Sequence, residues 1–390
     1  MKQQKLDTVL FKALILTAIG MVVTQTQGMS DLTSNLFLLT FPLTVVLWLR
    51  SVRKSFTMPD LLMLLTAALA LVGVMINCAA TNTMPGFSYI RKLIMFVMTI
   101  MFFQTAYRVR VERSVKRFLD TLVDLLTVYL IVLFLSNPLQ MYTMNGRISA
   151  YLTFRLSNSN LTALVLSCLY MLELYRVFTP EPWFLRLIHI VLAVFLAMFV
   201  VLTQSRNAII ILSFYTFACG WLMLRGKEGL TFHKGWATVV SVFPAVFVAV
   251  YLAVVETPWI QNIFSFLVGT GKGLNSRVRI WNRALGHLFS SPLVGAYSQI
   301  SYGTGTSQMH NSHLDIACSY GIPVLILVCV LLWQYLYQKG RRYDNKAEFC
   351  YILGFACAIM LGMGEAALFS GGLGIYVLAG GFLLRQREEL

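Results

Sequence analysis

Charge is scarce in this chain. Asp, Glu, Lys and Arg make up 12% of its 390 residues, about half the share of a soluble domain. That is too little to cover a water-facing surface, which excludes a soluble enzyme or a disordered chain. Alternating ten-residue strand segments are absent, which argues against an outer-membrane barrel. The seven cysteines (78, 168, 219, 318, 329, 350 and 357) make no CxxC and no Cys/His ligand spacing. They read as small residues of membrane helices rather than as a disulfide or metal framework. The first apolar run lacks an A-x-A cleavage site, so it is expected to remain as a spanning helix. Internal repeats, low-complexity tracts and any soluble domain are also missing.

Apolar sequence is what the chain has in abundance. It is 58% hydrophobic, with a mean hydropathy of +0.72. Runs of about 18–22 apolar residues recur from end to end, each long enough to cross a bilayer. Hydropathy predicts twelve spans, roughly at 8–23, 35–49, 59–77, 89–107, 119–136, 161–178, 185–203, 207–224, 237–254, 314–337, 348–365 and 369–384. The expected fold is an all-α polytopic membrane protein: a single transmembrane domain over 1–390 with one large extracytoplasmic loop at 255–313.

The net charge is +15. In a soluble protein this would point to nucleic acid; in a membrane protein it expresses the positive-inside bias, so no nucleic-acid partner is expected. Placing both termini in the cytoplasm puts most of the 31 basic residues inside. Nine then stand outside: Arg91, Lys92, Arg147, Arg155, Arg206, Lys272, Arg277, Arg279 and Arg283. Each works against the topology rule and needs a reason. Seven of them fall in three outer segments, 137–160, 204–206 and 255–313. The last is long enough to imply function.

Within that loop, residues 276–289 predict an amphipathic helix lying along the membrane. Val278, Trp281, Ala284, Leu285, Leu288 and Phe289 share one arc, and Arg279, Asn282, Arg283 and His287 share the other. Ser276 is the expected N-cap, and Pro292 stops the helix. Arg277 breaks the pattern. It falls in the apolar arc, in a first turn where a cation opposes the helix dipole, so an anionic partner is expected. Arg279 and Arg283 are weaker candidates for the same ligand, because a solvated face explains them almost as well. Arg206, at the tight Thr203-Gln204-Ser205-Arg206 turn, holds a guanidinium at the outer interface, where phosphate is its natural partner.

The loop ends at Met309-His310-Asn311-Ser312-His313-Leu314-Asp315. Ser312 and Asp315 have capping-box spacing. His310 then sits just ahead of a helix N-terminus, whose dipole disfavours imidazolium and suits a general base. His313, one turn on, is an ambiguous polar candidate. Metal binding is not expected, since no third strong ligand accompanies the two histidines. Asp120 and Asp124 read as interfacial, and Glu173 and His189 as internal contacts of the bundle. Glu365 lies near the outer end of the eleventh span, on the side of the loop.

The sequence resembles the O-antigen ligase and Wzy-type polysaccharide polymerase superfamily. The resemblance rests on Thr203-Gln204-Ser205-Arg206, Arg277-Val278-Arg279-Ile280-Trp281, Pro292-Leu293-Val294-Gly295, and His310-Asn311 separated by nine residues from Gly321. Leu156-Ser157-Asn158-Ser159-Asn160 is also similar. The likeness covers roughly 145–325. It implies a fold like the lipid-dependent, GT-C-like glycosyltransferases, and an enzyme on the outer face of the cytoplasmic membrane. The donor would be a glycan on undecaprenyl diphosphate and the acceptor a sugar hydroxyl of a glycan or lipid-linked glycan. Neither metal nor cofactor would be needed.

Under that resemblance Arg206 and Arg277 match the diphosphate-binding arginines. Arg279, Arg283, Asn311 and His313 are further substrate-binding candidates, and His310 matches the acceptor-activating histidine. Val324 and Tyr297 stand where the ligase pattern favours glycine, which tilts the expectation toward polymerisation of O-antigen, capsule or exopolysaccharide repeats over ligation to lipid A core. A flippase of lipid-linked oligosaccharide is the rival class. It needs cations along a path through the membrane, whereas here they gather at one face.

Overall fold

The computed structural model describes residues 2–53, 55–82, 87–145, 149–156, 158–179, 181–224, 233–255, 257–258, 274–296, 309–340, 346–370 and 374–386. Its helices are α1 (Lys2–Thr26), α2 (Ser30–Val52), α3 (Met58–Thr81), α4 (Phe87–Arg108), α5 (Arg113–Ser136), α6 (Ser159–Val177), α7 (Trp183–Leu202), α8 (Arg206–Leu224), α9 (Lys234–Val254), α10 (Leu274–Ser290), α11 (Ser312–Tyr320), α12 (Ile322–Gly340), α13 (Lys346–Leu361), α14 (Ala367–Ser370) and α15 (Ile375–Gly381). Among the described residues, nine of these are long and apolar enough to cross a membrane: α1 to α7, α9 and α12. The chain is an all-α polytopic membrane protein.

Three expected spans take a different form. The tenth is broken at Gly321 into α11, of nine residues, and α12. The eleventh is the 16-residue α13. The twelfth is two short helices, α14 and α15. The expected outer segment 137–160 holds a hairpin, β2 (Tyr142–Asn145) antiparallel to β3 (Ser149–Leu152). A second ribbon pairs β1 (Arg110–Val111) with β4 (Arg385–Gln386) in parallel.

Polar contacts sort the helix ends into two sets. At one end Asp7 pairs with Arg50, joining the start of α1 to the end of α2. Asp60, at the start of α3, is fully buried and accepts from Thr57 N–H, the Thr57 hydroxyl, Gln104 and Arg108. Four donors satisfy a carboxylate that would be costly alone. Arg176 of α6 pairs with Asp124 of α5, and His189 Nδ1 lies 2.9 Å from Glu173 Oε2. Glu173 and His189 are thus internal to the bundle, as their sequence positions suggest.

The opposite end carries Arg206, Arg277 and His310. There Asn77 of α3 donates to the Val294 carbonyl, and Asn207 of α8 to the Leu361 carbonyl.

The centre of the bundle is α6, the most buried of the spans. A helix apolar on all sides has no solvated face to offer, so its neighbours surround it. Phe96 stacks on Tyr320 with centroids 4.8 Å apart, tying α4 to α11.

Candidate active site

Three helices begin at one place. Near the starts of α8, α10 and α11, Asn207, Arg277 and Ser312 each contact the end of α13 or the chain that leads from it to α14. Asn207 Nδ2 donates to Leu361 O at 2.9 Å, Arg277 Nη2 approaches Gly364 O at 3.5 Å, and Ser312 N–H donates to Gly362 O at 2.7 Å. Ser312 Oγ adds a bond of 2.8 Å to Glu365 O. Orphan N–H groups and the positive end of the dipole make each helix start a natural seat for an anion. Here three helix starts converge; two carry an arginine, while at α11 the Ser312 N–H is taken by Gly362 O and the Leu314 N–H by the Asn311 side chain.

Glycine explains how the chain packs so closely. A Cβ on Gly364 would lie 2.8 Å from Asn207 Nδ2, and one on Gly362 would meet Ser312. The Pro292–Gly295 motif lies against the α11–α12 break, where Ala296 N–H donates to Cys318 O and Ile322 N–H to Pro292 O. Gly321 makes that approach feasible, since a Cβ there would stand 2.2 Å from Leu293 O.

His310 is held from three sides. Its backbone lies in the left-handed region, φ 51°, which is uncommon for a residue with a side chain and stores strain. Behind it, fully buried Trp281 donates from Nε1 to Met309 O at 2.8 Å. Ahead of it, Asn311 is the N-cap of α11, accepting from Leu314 N–H at 2.8 Å. The cap is therefore Asn311 and not Ser312. Asn311 Nδ2 also donates to Pro244 O at 2.9 Å, so its side chain is used by the fold on both sides. Nor does Asp315 cap: it pairs with Lys92 Nζ at 2.7 Å. His313 is fully buried with Nε2 3.1 Å from Ser241 O. In this structure Asn311 and His313 position the helix that follows His310, and neither is open to a substrate.

The amphipathic helix forms as expected over most of its length, but it starts at Leu274, so Ser276 lies inside it and is not its cap. Trp281, Ala284 and Leu288 are buried, Arg279 and Arg283 are exposed, and Phe289 departs from its arc by being exposed. Arg279 and Arg283 lie on the face away from the buried contacts. Arg277 lies half-buried on the other side. Burial lowers its pKa from the ordinary arginine value and the Arg206 charge adds to that, while Glu365 first and then Tyr251 offset part of it. An arginine keeps its proton even so. The result is a partly desolvated, under-compensated cation, which an incoming anion would relieve.

The other misplaced cations largely find partners. Arg91 sits over the Phe37 ring, Lys92 binds Asp315 and Ser319, and Arg155 donates to Gln140. Arg147 and Lys272 lie outside the described residues, as does Tyr297. Arg206 is exposed at the first position of α8, after a turn in which Gln204 adopts φ 56°.

Sequence reasoning gave too little weight to the 361–366 turn, on which the site is built. Glu365 is the signal it offered: one carboxylate at the end of an apolar span, preceded by Gly362 and Gly364. Its side chain is buried, and Oε2 faces His310 Nδ1 at 3.5 Å. A recess beside it is lined by Asn160, Ser205, Asn207, Gly364 and Glu365, so the Leu156–Asn160 and Thr203–Arg206 motifs meet there. At the other end of the bundle, Asp124, Glu173 and His189 offer ligand atoms within 4.8 Å of one another. Arg176 already brings a cation to that cluster.

A family model described as O-Antigen ligase matches residues 191–329. The chain carries an O-antigen ligase-type domain. The matched range includes Arg206, Arg277 and His310 and stops short of Glu365. No curated protein matches the chain. The match supports glycosyl transfer in the membrane of the ligase and polymerase type.

Proposed function

We propose that the protein transfers a glycan from undecaprenyl diphosphate to a sugar hydroxyl on the outer face of the cytoplasmic membrane, polymerising lipid-linked repeats. The orientation has both termini inside and the 255–313 loop outside. The observation that carries this is the convergence of three helix starts and two arginines beside a strained histidine.

The acceptor hydroxyl attacks the anomeric carbon of the donor. The bond from that carbon to the phosphate oxygen breaks, and undecaprenyl diphosphate leaves with inversion. Negative charge builds on the departing phosphate oxygens. The partly dehydrated Arg277 and the exposed Arg206 face it; contacts in a dehydrated site are strong, and losing Arg277 costs on the order of 10²–10³ in rate by analogy with oxyanion donors. The Arg277 fork suits a bidentate contact that an ammonium lacks. His310 takes the hydroxyl proton, which is worth ~10²–10⁴. No step calls for a metal, because the guanidinium groups carry the leaving-group charge. The exposed Arg279 and Arg283 attract the donor from a distance.

Transfer to lipid A core is the second reading, supported by the ligase description of the matching family. It uses the same groups with a different acceptor. The test is product formation by purified protein from a lipid-linked repeat, comparing wild type with Arg206→Ala, Arg277→Ala and His310→Ala. The proposal expects loss in all three, and near wild-type turnover in all three removes it. Chain growth without added core glycan separates polymerase from ligase.

A further inference from the structure

We propose that Glu365 is a positioning residue: its carboxylate holds the Nδ1–H of His310 and so leaves Nε2 as the basic nitrogen facing the acceptor hydroxyl. This rests on the role assigned to His310 above. Nothing in the matched domain contains Glu365, and the transfer chemistry just described makes no use of it.

Two orphaned atoms face each other. His310 Nδ1 and Glu365 Oε2 are both buried without a hydrogen-bond partner, and they lie 3.5 Å apart. That is longer than a hydrogen bond, but an approach of about 0.6 Å makes one, and contacts of this kind commonly tighten only when substrate is bound. Buried polar groups are rarely left alone, so a facing pair of orphans marks a bond the site is built to close. The His310 side chain keeps about a fifth of its surface open. Because Nδ1 itself is covered, the open part lies on the rest of the side chain.

Both partners are held by backbone. Glu365 accepts from Ala366 N–H at Oε1, 3.2 Å, and its carbonyl accepts from Ser312 Oγ. His310 is fixed by its left-handed φ, by the Trp281 bond to Met309 O and by the Asn311 cap. The pair thus joins the α13–α14 turn to the start of α11, and neither end slides away when the other moves.

The charge around the pair gives Glu365 a second reason to be there. A histidine that takes a proton in this site becomes a cation beside Arg277 and Arg206, which like-charge repulsion opposes. A carboxylate at Nδ1 offsets that repulsion as the proton arrives. The hydroxyl proton passes to Nε2, Nδ1–H stays shared with Glu365, and the carboxylate remains ionised throughout. The same division of labour between nucleophile, base and orienting acid is general to activated hydroxyls.

The experiment is steady-state transfer by the purified full-length protein with Glu365→Gln, Glu365→Asp, His310→Ala and the His310→Ala/Glu365→Gln double variant. Glu365→Gln is expected to lower kcat by about 10²- to 10⁴-fold, the upper figure being the loss when the orienting acid of a catalytic histidine becomes an amide. The donor KM should move less than about threefold, and Glu365→Asp should recover part of kcat. The double variant should be no slower than His310→Ala alone, since the two act as a unit.

A kcat within twofold of wild type for Glu365→Gln, with His310→Ala inactive, overturns the role of Glu365 and leaves the base in place. Full activity of His310→Ala overturns the base itself. ¹⁵N spectra of histidine-labelled wild-type protein, with the His310 signals identified by their loss in His310→Ala, give a readout independent of any variant's activity. Nδ1–H is expected, and an Nε2–H tautomer overturns the proposal.

Discussion

Replacing Gly321 by alanine tests the architecture that presents His310. Gly321 has φ 93° and ψ 164°, a region open essentially to glycine alone, so a side chain there costs of order 1–3 kcal/mol in backbone strain. The added Cβ would also stand 2.2 Å from Leu293 O, 2.5 Å from Leu293 C and 2.9 Å from Val294 N. All three are backbone atoms and cannot rotate aside. The Pro292–Gly295 turn must therefore lift away from the α11–α12 break. It then gives up Ile322 N–H to Pro292 O and Ala296 N–H to Cys318 O, each worth about 1 kcal/mol net. Together the strain and the lost bonds come to about 3–5 kcal/mol, a large share of what holds a typical domain together. Cys318 reports on the damage directly: it is fully buried, with Sγ 3.3 Å from Ala284 O. In Gly321→Ala its alkylation, followed by mass spectrometry, should accelerate at least 100-fold and transfer activity should be lost. Wild-type protection of Cys318 with full activity would refute the claim that close backbone approach at Gly321 fixes the α11–α12 break.

Further expectations follow from single contacts. Lys92→Met strands the buried Asp315 carboxylate, which costs about 3–5 kcal/mol when one partner of a buried pair is removed; a large drop in the thermal inactivation midpoint is expected, with recovery in Lys92→Met/Asp315→Asn, and no drop would show the pair to be idle. Asn311→Ala removes the α11 cap, worth about 0.5–2 kcal/mol, and should lower both the midpoint and kcat, whereas an unchanged kcat would detach the cap from His310. Trp281→Phe keeps the ring packing against Phe247 and Tyr251 but leaves Met309 O unpaired, so kcat should fall by more than the fold loosens. Arg279→Ala and Arg283→Ala, at exposed positions, should change kcat less than threefold at moderate salt, in contrast to Arg277→Ala; a larger loss would place them against the substrate.

The membrane helices were legible because apolar length alone specifies them. The breaks were not. Residues 314–337 are apolar on both sides of Gly321, so hydropathy reads one span where backbone conformation makes two helices. The candidate site was partly legible for a similar reason. Arg277 and Arg206 stand out as cations where topology disfavours them, and His310 as a polar residue ahead of a helix start. What could not be read was pairing across the chain. Asp315 has capping-box spacing, yet it binds Lys92, which lies more than two hundred residues earlier in sequence. The capping role falls one residue from the expected position, on Asn311, because a local motif does not say which residue leaves the helical φ/ψ region first. The 361–366 turn is short, has little charge, and shows its importance only once Asn207, Arg277 and Ser312 are folded against it.

The central claim separates binding from proton transfer, and one measurement reaches it. Binding of an undecaprenyl-diphosphate-linked glycan is measured on the purified protein alongside single-turnover transfer. Arg277→Ala should weaken donor binding and slow transfer, because it removes a charge that meets the diphosphate both before and during bond breaking. His310→Ala should bind the donor within about threefold of wild type yet transfer at least 10²-fold more slowly. Unaltered donor affinity and transfer in Arg277→Ala, or wild-type transfer in His310→Ala, would contradict the account.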